Sequence, residues 1–95
     1  MADSNASEPI SFTGFVLSLA TSAAINLGDI ADPTTGKAET PNLEAASQII
    51  DLLAMLQEKT RGNLDADEQQ VLEQILYDLR MRFVAVRDQK RIIVP

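Results

Sequence analysis

The chain has 95 residues, a net charge of −6 and no Cys, His or Trp. Lack of Cys excludes disulfides, thiolate nucleophiles and Cys-ligated metals, and lack of His removes the commonest acid–base group and metal ligand of neutral pH. Four aromatics (Phe12, Phe15, Tyr77 and Phe83) and a surplus of acids make a poor surface for stacked bases or a phosphate backbone, so no nucleic-acid partner is expected.

Residues 1–10 are small and polar and read as a flexible N-terminal tail. From Pro9 to Gly28 no residue is charged. A cleaved signal would need a basic start, yet residues 1–8 offer only Asp3 and Glu8, and the first cation is Lys37. Residues 12–27 as a helix reach roughly 24 Å, short of a hydrocarbon core of about 30 Å. Six hydroxyl or amide side chains interrupt the segment. The expectation is a buried helix over 12–27 in a cytoplasmic protein, with a membrane protein inserting residues 9–28 as the alternative. Ser11 suits the N-cap and Gly28 a left-handed C-cap. Gly14, Ser18, Ser22 and Asn26 form one stripe four residues apart, open either to a closely packed helix or to water. Phe12, Phe15, Val16, Leu19, Ala23 and Leu27 form another.

Asp29 to Pro41 has turn chemistry in Asp32-Pro33 and Gly36-Lys37 and no periodicity, the mark of an ordered loop. Thr35-Gly36-Lys37 lacks the first glycine and the following hydroxyl of a phosphate-binding loop, and Asp29 and Asp32 lack the spacing of a calcium loop. Turn residues are the reading for both, and no cofactor or metal is expected.

A second helix is predicted over 42–61, starting at Thr40-Pro41 or Asn42 and stopped by Gly62. Ala46, Ile49, Leu53, Leu56 and Thr60 recur at steps of three and four, the seam of an antiparallel pair. Ile50, Leu52 and Met55 lie outside it, so the apolar face is wider than one partner helix requires. A third helix is predicted over 66–87, opened by Asp65 as cap with Glu68 as the capping-box acid. Leu72, Leu76, Leu79, Phe83 and Val86 step by four and three. The short link Gly62-Asn63-Leu64 makes helices two and three an antiparallel hairpin, with helix one across it. Residues 88–95 read as a tail, fraying from Arg87 and extended over Arg91–Pro95.

Charge is divided along the chain. Residues 1–58 carry eight acids and one base, whereas residues 80–95 carry five bases and one acid. The basic end reads as a solvated helix terminus complementing the macrodipole.

Several stretches together resemble a bacterial domain-of-unknown-function family numbered 1844. They are Phe15 to Ala23, Leu27-Gly28, Asp32-Pro33, Gly36-Lys37, Asn42-Leu43, Ile50-Asp51 with Leu53, Met55 to Thr60, Gly62 to Leu64 and Leu76 to Val84, within residues 12–84. The resemblance supplies no catalytic residues, since the family has no assigned activity.

What the residues themselves point to is an all-α chain with one helical domain over 11–87, completed by oligomerisation or by docking a protein partner. Its candidate interaction residues are Phe12, Phe15, Val16, Leu19, Ala23, Leu27, Leu52 and Met55. An isologous dimer is the default closure. No nucleophile–base pair stands out, so no enzyme is expected. A ligand-binding protein or enzyme using Tyr77 and the nearby Arg80 and Arg82 is a further alternative, which would need a concave pocket.

Overall fold

The computed structural model describes residues 10–38 and 40–93, with side chains through Gln89. Three helices follow one another: α1 (Phe12–Asn26), α2 (Leu43–Lys59) and α3 (Ala66–Ile93). No β-strand lies among the described residues; only an isolated antiparallel bridge joins Asp32 and Lys37. Residues 1–9 and 94–95, nearly all of the expected N-terminal tail and the last two residues of the expected C-terminal one, lie outside the described residues.

Local chemistry sets most helix ends. Ser11 accepts a hydrogen bond from the Gly14 amide at 2.9 Å, and Asn42 accepts one from the Ala45 amide at 3.0 Å. Each side chain satisfies an amide that the first helical turn cannot. Asp65 and Glu68 form a reciprocal capping box: the Glu68 amide donates to Asp65 (2.8 Å) and the Asp65 amide to Glu68 (3.0 Å). α1 ends in a Schellman motif. The Gly28 amide donates to the Ile25 carbonyl, the Asp29 amide to the Ala24 carbonyl, and Gly28 sits at φ 81°.

Each helix packs on both others. The Asn42 amide donates to the Asn26 carbonyl at 2.7 Å, which brings the start of α2 to the end of α1 and makes them antiparallel. Ser47 and Ile50 of α2 share a groove with Arg80, Phe83 and Val84 of α3, whereas Gln57 and Thr60 share one with Gln69 and Leu72. α2 therefore runs antiparallel to α3 as the short link requires. Leu17 borders Gln70 to Ile75 and Asp29 reaches Arg82, so α1 and α3 run parallel.

The core comprises Val16, Ala23, Leu27, Ala46, Ile50, Leu53, Leu72, Leu76, Leu79 and Val86. Phe83 of the α3 seam is half-buried, as are Ile49 and Leu56 of α2. Ile50, expected outside the α2 seam, belongs to the core. The reason is that α2 meets two helices, so a single-partner seam describes only part of its buried face. α3 also runs on to Ile93 instead of ending at residue 87. The Arg91–Ile93 part of the expected extended tail is helical; no glycine or proline stands between Ala66 and Ile93 to stop it.

The uncharged helix keeps company with water through its polar stripe. Of that stripe Gly14, Ser18 and Ser22 are exposed and Asn26 is half-buried, and the hydroxyls of Ser18 and of the exposed Thr21 donate to the carbonyls of Phe15 and Leu17 at 3.0 Å. α1 has 15 residues, and among the described residues no helix is long and apolar enough to cross a membrane.

Candidate interaction surface

The eight residues expected to mediate association divide in two. Val16, Ala23 and Leu27 are fully buried by the chain's own helices, and Phe12 and Leu19 pack against that core. Val16, Ala23 and Leu27 belong to the intramolecular core, a correction with a simple cause, and Phe12 and Leu19 are half-buried beside them. They face the α2–α3 hairpin, and a sequence pattern marks a buried stripe without saying whose surface buries it. Phe15, Leu52 and Met55 keep exposures of 43%, 37% and 44%. In the antiparallel α1–α2 pair Phe15 and Leu52 stand at about the same level, counted from the Asn26–Asn42 contact.

A second apolar surface, on α3, was not among the expected residues. Tyr77 (61% exposed) and Met81 (57%) lie open on it, and Val84 (41%) borders the groove that α3 shares with Ile50 of α2. They belong to a second series on α3: Gln70, Gln74, Tyr77, Met81, Val84 and Asp88 recur at steps of four and three, and all six are exposed. This series runs on the face opposite Leu72, Leu76, Leu79 and Phe83. The spacing was visible in the sequence. The stronger leucine seam beside it drew the assignment, and only one seam was expected to matter.

The charged groups near these surfaces are largely committed to turns and helix edges. Arg82 donates through Nε to Asp29 Oδ2 at 2.9 Å and also pairs through Nη2 with Oδ1. That hydrogen bond, reinforced by the carboxylate's charge, raises the Arg82 pKa further above its ordinary value. Arg61 holds Glu58 through one nitrogen at 2.7 and 2.9 Å. Asp32 Oδ1 accepts from the Thr34 hydroxyl (2.7 Å) and amide (2.9 Å), which holds its carboxyl below the usual carboxylate range. Its neighbour Gly36, at φ 72°, completes the turn. Thr35-Gly36-Lys37 is thus part of a tight turn closed by the Asp32 amide donating to the Lys37 carbonyl at 3.0 Å. No cluster of three or more acids suited to a metal ion occurs among the described residues.

Among the described residues, three depressions are of note. One of about 210 Å³ lies at the α2–α3 turn, lined by Gln57, Thr60, Arg61, Leu64, Gln69 and Glu73 among others. It brings Arg61 to the start of α3, as expected of the hairpin. A second of about 210 Å³ holds Ser47, Ile50, Arg80, Phe83 and Val84. A third of about 290 Å³ holds Leu17, Gln70, Val71, Gln74 and Ile75. Tyr77 lines none of the three, and Arg82 is turned to Asp29. Of the residues suggested for a ligand site, Arg80 is therefore the one that borders one of these depressions, the second.

A three-helix bundle with apolar side chains left on its outer faces is the class of protein these features define. The family model described as Domain of unknown function (DUF1844) matches residues 9–85, and the chain belongs to that family. No curated protein and no solved structure matches the chain.

Proposed function

We propose that this chain is a small, non-catalytic helical module that works by associating with itself, a dimer being the simplest closed form. One observation carries the reading: seven large apolar side chains on the helices (Phe15, Leu17, Leu52, Met55, Tyr77, Met81 and Val84) keep 37–61% of their surface exposed. Single exposed apolar residues are ordinary on any protein surface. Here they recur along helix faces, three of them on one side of α3, and aligned apolar residues on a helix are what a second helix covers. Fully burying a side chain of this size stabilises by about 1.5–3 kcal/mol, so covering the exposed half of each contributes about 1 kcal/mol. Symmetry counts each contribution twice.

The test is the solution mass of the purified chain, by light scattering or sedimentation equilibrium, between about 1 and 100 µM. The expected result is a dimer or larger closed species that dissociates on dilution. A folded monomer at 100 µM refutes the reading.

A further inference from the structure

Of the four arginines with described side chains, three have a carboxylate partner. Arg61 holds Glu58 at 2.7 Å, Arg82 holds Asp29, and Arg87 contacts Asp88 at 3.3 Å. Arg80 makes neither an ion pair nor a side-chain hydrogen bond among the described residues. It lines the groove of about 210 Å³ between α2 and α3, together with Ser47, Ile50, Phe83 and Val84. Ile50 is buried, Phe83 half-buried and Val84 exposed. Three of the five lining side chains are thus hydrocarbon, and one carries a permanent positive charge.

Ser47 is the second polar group of the groove, and its hydroxyl is equally uncommitted. A hydroxyl on a helix has a ready acceptor in a carbonyl of the preceding turn, and those of Ser18, Thr21 and Thr60 donate there at 3.0, 3.0 and 2.7 Å. Half-buried Ser47 has no hydrogen-bond partner among the described residues. Two donors without acceptors therefore stand at one hydrocarbon surface, Ser47 on the α2 wall and Arg80 on the α3 wall. The acids nearest in sequence do not supply the acceptor. Asp78 accepts from Gln74 at 2.9 Å, and Asp51 makes no ion pair among the described residues.

The group that satisfies both donors and walls is an anion with an apolar tail. A carboxylate accepts from a guanidinium through two oxygens and takes a hydroxyl hydrogen on a remaining lone pair. An alkyl chain removes the surfaces of Phe83 and Val84 from water. Inorganic phosphate would satisfy the donors and leave the hydrocarbon wet, whereas a neutral alkyl chain would leave Arg80 without a counter-charge. The volume lies below the roughly 300–1,000 Å³ of drug-sized sites, which selects a short chain.

We propose that the α2–α3 groove binds a short aliphatic monocarboxylate, with its carboxylate on the Arg80 guanidinium and the Ser47 hydroxyl and its chain on Ile50, Phe83 and Val84. The groove is built within one copy, so this site stands apart from the self-association proposed above.

The experiment titrates octanoate into the full chain and follows its backbone amide resonances. Saturable shifts centred on Ile50, Phe83 and Val84 are expected, with a Kd of roughly 0.1–1 mM, the range open to a ligand of about ten non-hydrogen atoms. Arg80 is exposed and without partners, so Arg80→Gln is expected to keep the helical signal and Tm while weakening octanoate roughly fivefold or more. Arg61→Gln removes the same charge beyond the other end of α2 and is expected to leave the affinity unchanged. 1-Octanol, the same chain without the charge, is expected to bind roughly fivefold more weakly than octanoate. No saturable shift at about 5 mM octanoate, or shifts centred elsewhere, overturns the site. Equal affinity for octanoate and 1-octanol, or an unchanged affinity in Arg80→Gln, overturns the role of the charge and with it the class of ligand. The solution mass of the chain is a separate readout, so this proposal and self-association fail independently.

Discussion

Two adjacent leucines of α2 offer the sharpest test of the helix's rotational setting. Leu53 has no exposed surface, whereas Leu52 is 37% exposed. Replacing either by Ala changes helix propensity by the same few tenths of a kcal/mol, so the difference between the two variants isolates burial. Leu53→Ala removes three carbons from the centre of a core that also holds Val16, Leu72 and Leu76, and the expected loss is about 2–5 kcal/mol, transfer and cavity together. Leu52→Ala opens no cavity, because solvent already reaches the site, and about 1 kcal/mol or less is expected. For a domain of this size 1 kcal/mol corresponds to about 4–8 °C in Tm, so the two variants should melt at least about 4 °C apart. Circular dichroism melts and urea titrations at one fixed protein concentration measure this. Equal losses, or a larger loss at Leu52, would refute the orientation of α2 and with it the assignment of Ile50 and Leu53 to the core. Repeating the melts at about 1 and 100 µM adds information: a Leu52 effect that grows with concentration places that residue in the contact between copies.

Three further outcomes are expected. Asp65→Ala breaks the capping box of α3 and should lower stability by about 1 kcal/mol in urea titration, with Glu68→Ala in the same background adding little because the two bonds act together. Asp29 and Arg82 lie 53 residues apart and join the α1–α2 loop to α3; their side chains are 25% and 50% exposed, so a double-mutant cycle should give a coupling of about 0.2–1 kcal/mol that shrinks in 1 M salt. The Asp32 carboxyl titrates below its unfolded value, so its contribution to the loop is present above that value (about 3.9) and is lost as pH falls through the lower, folded pKa. The Thr34 amide resonance should follow that folded midpoint, and a midpoint at or above 3.9 would contradict the hydrogen bonds from Thr34.

The parts of this fold that were legible in the sequence are those decided within a few residues. Ser11, Asn42 and Asp65 each cap an amide three positions away, and Gly28 and Gly62 take the positive φ that ends a helix. The leucine seam of α3 was legible because one periodic stripe faces one core. Ile50 was misplaced because the buried width of α2 depends on where two other helices stand, which no window of the α2 sequence contains. The same ignorance affected the candidate surface: Val16 and Phe15 are neighbours in an apolar run, yet one is sealed in the core and the other is half open. The outer series of α3 carries polar residues at Gln70, Gln74 and Asp88, so it stands out only once the opposite face is known to be occupied.

The contact between the Asn26 carbonyl and the Asn42 amide also bears on how this chain tolerates rearrangement. The connection between α1 and α2 leaves and re-enters the bundle at one point, 2.7 Å across, so its ends are held by the helices whatever lies between them. Doubling the length of such a loop adds only about 0.6 kcal/mol of closure entropy. The exposed turn at Pro33–Gly36 is therefore a graft point, where a peptide epitope or a new pair of chain termini can be introduced with little disturbance to the three helices.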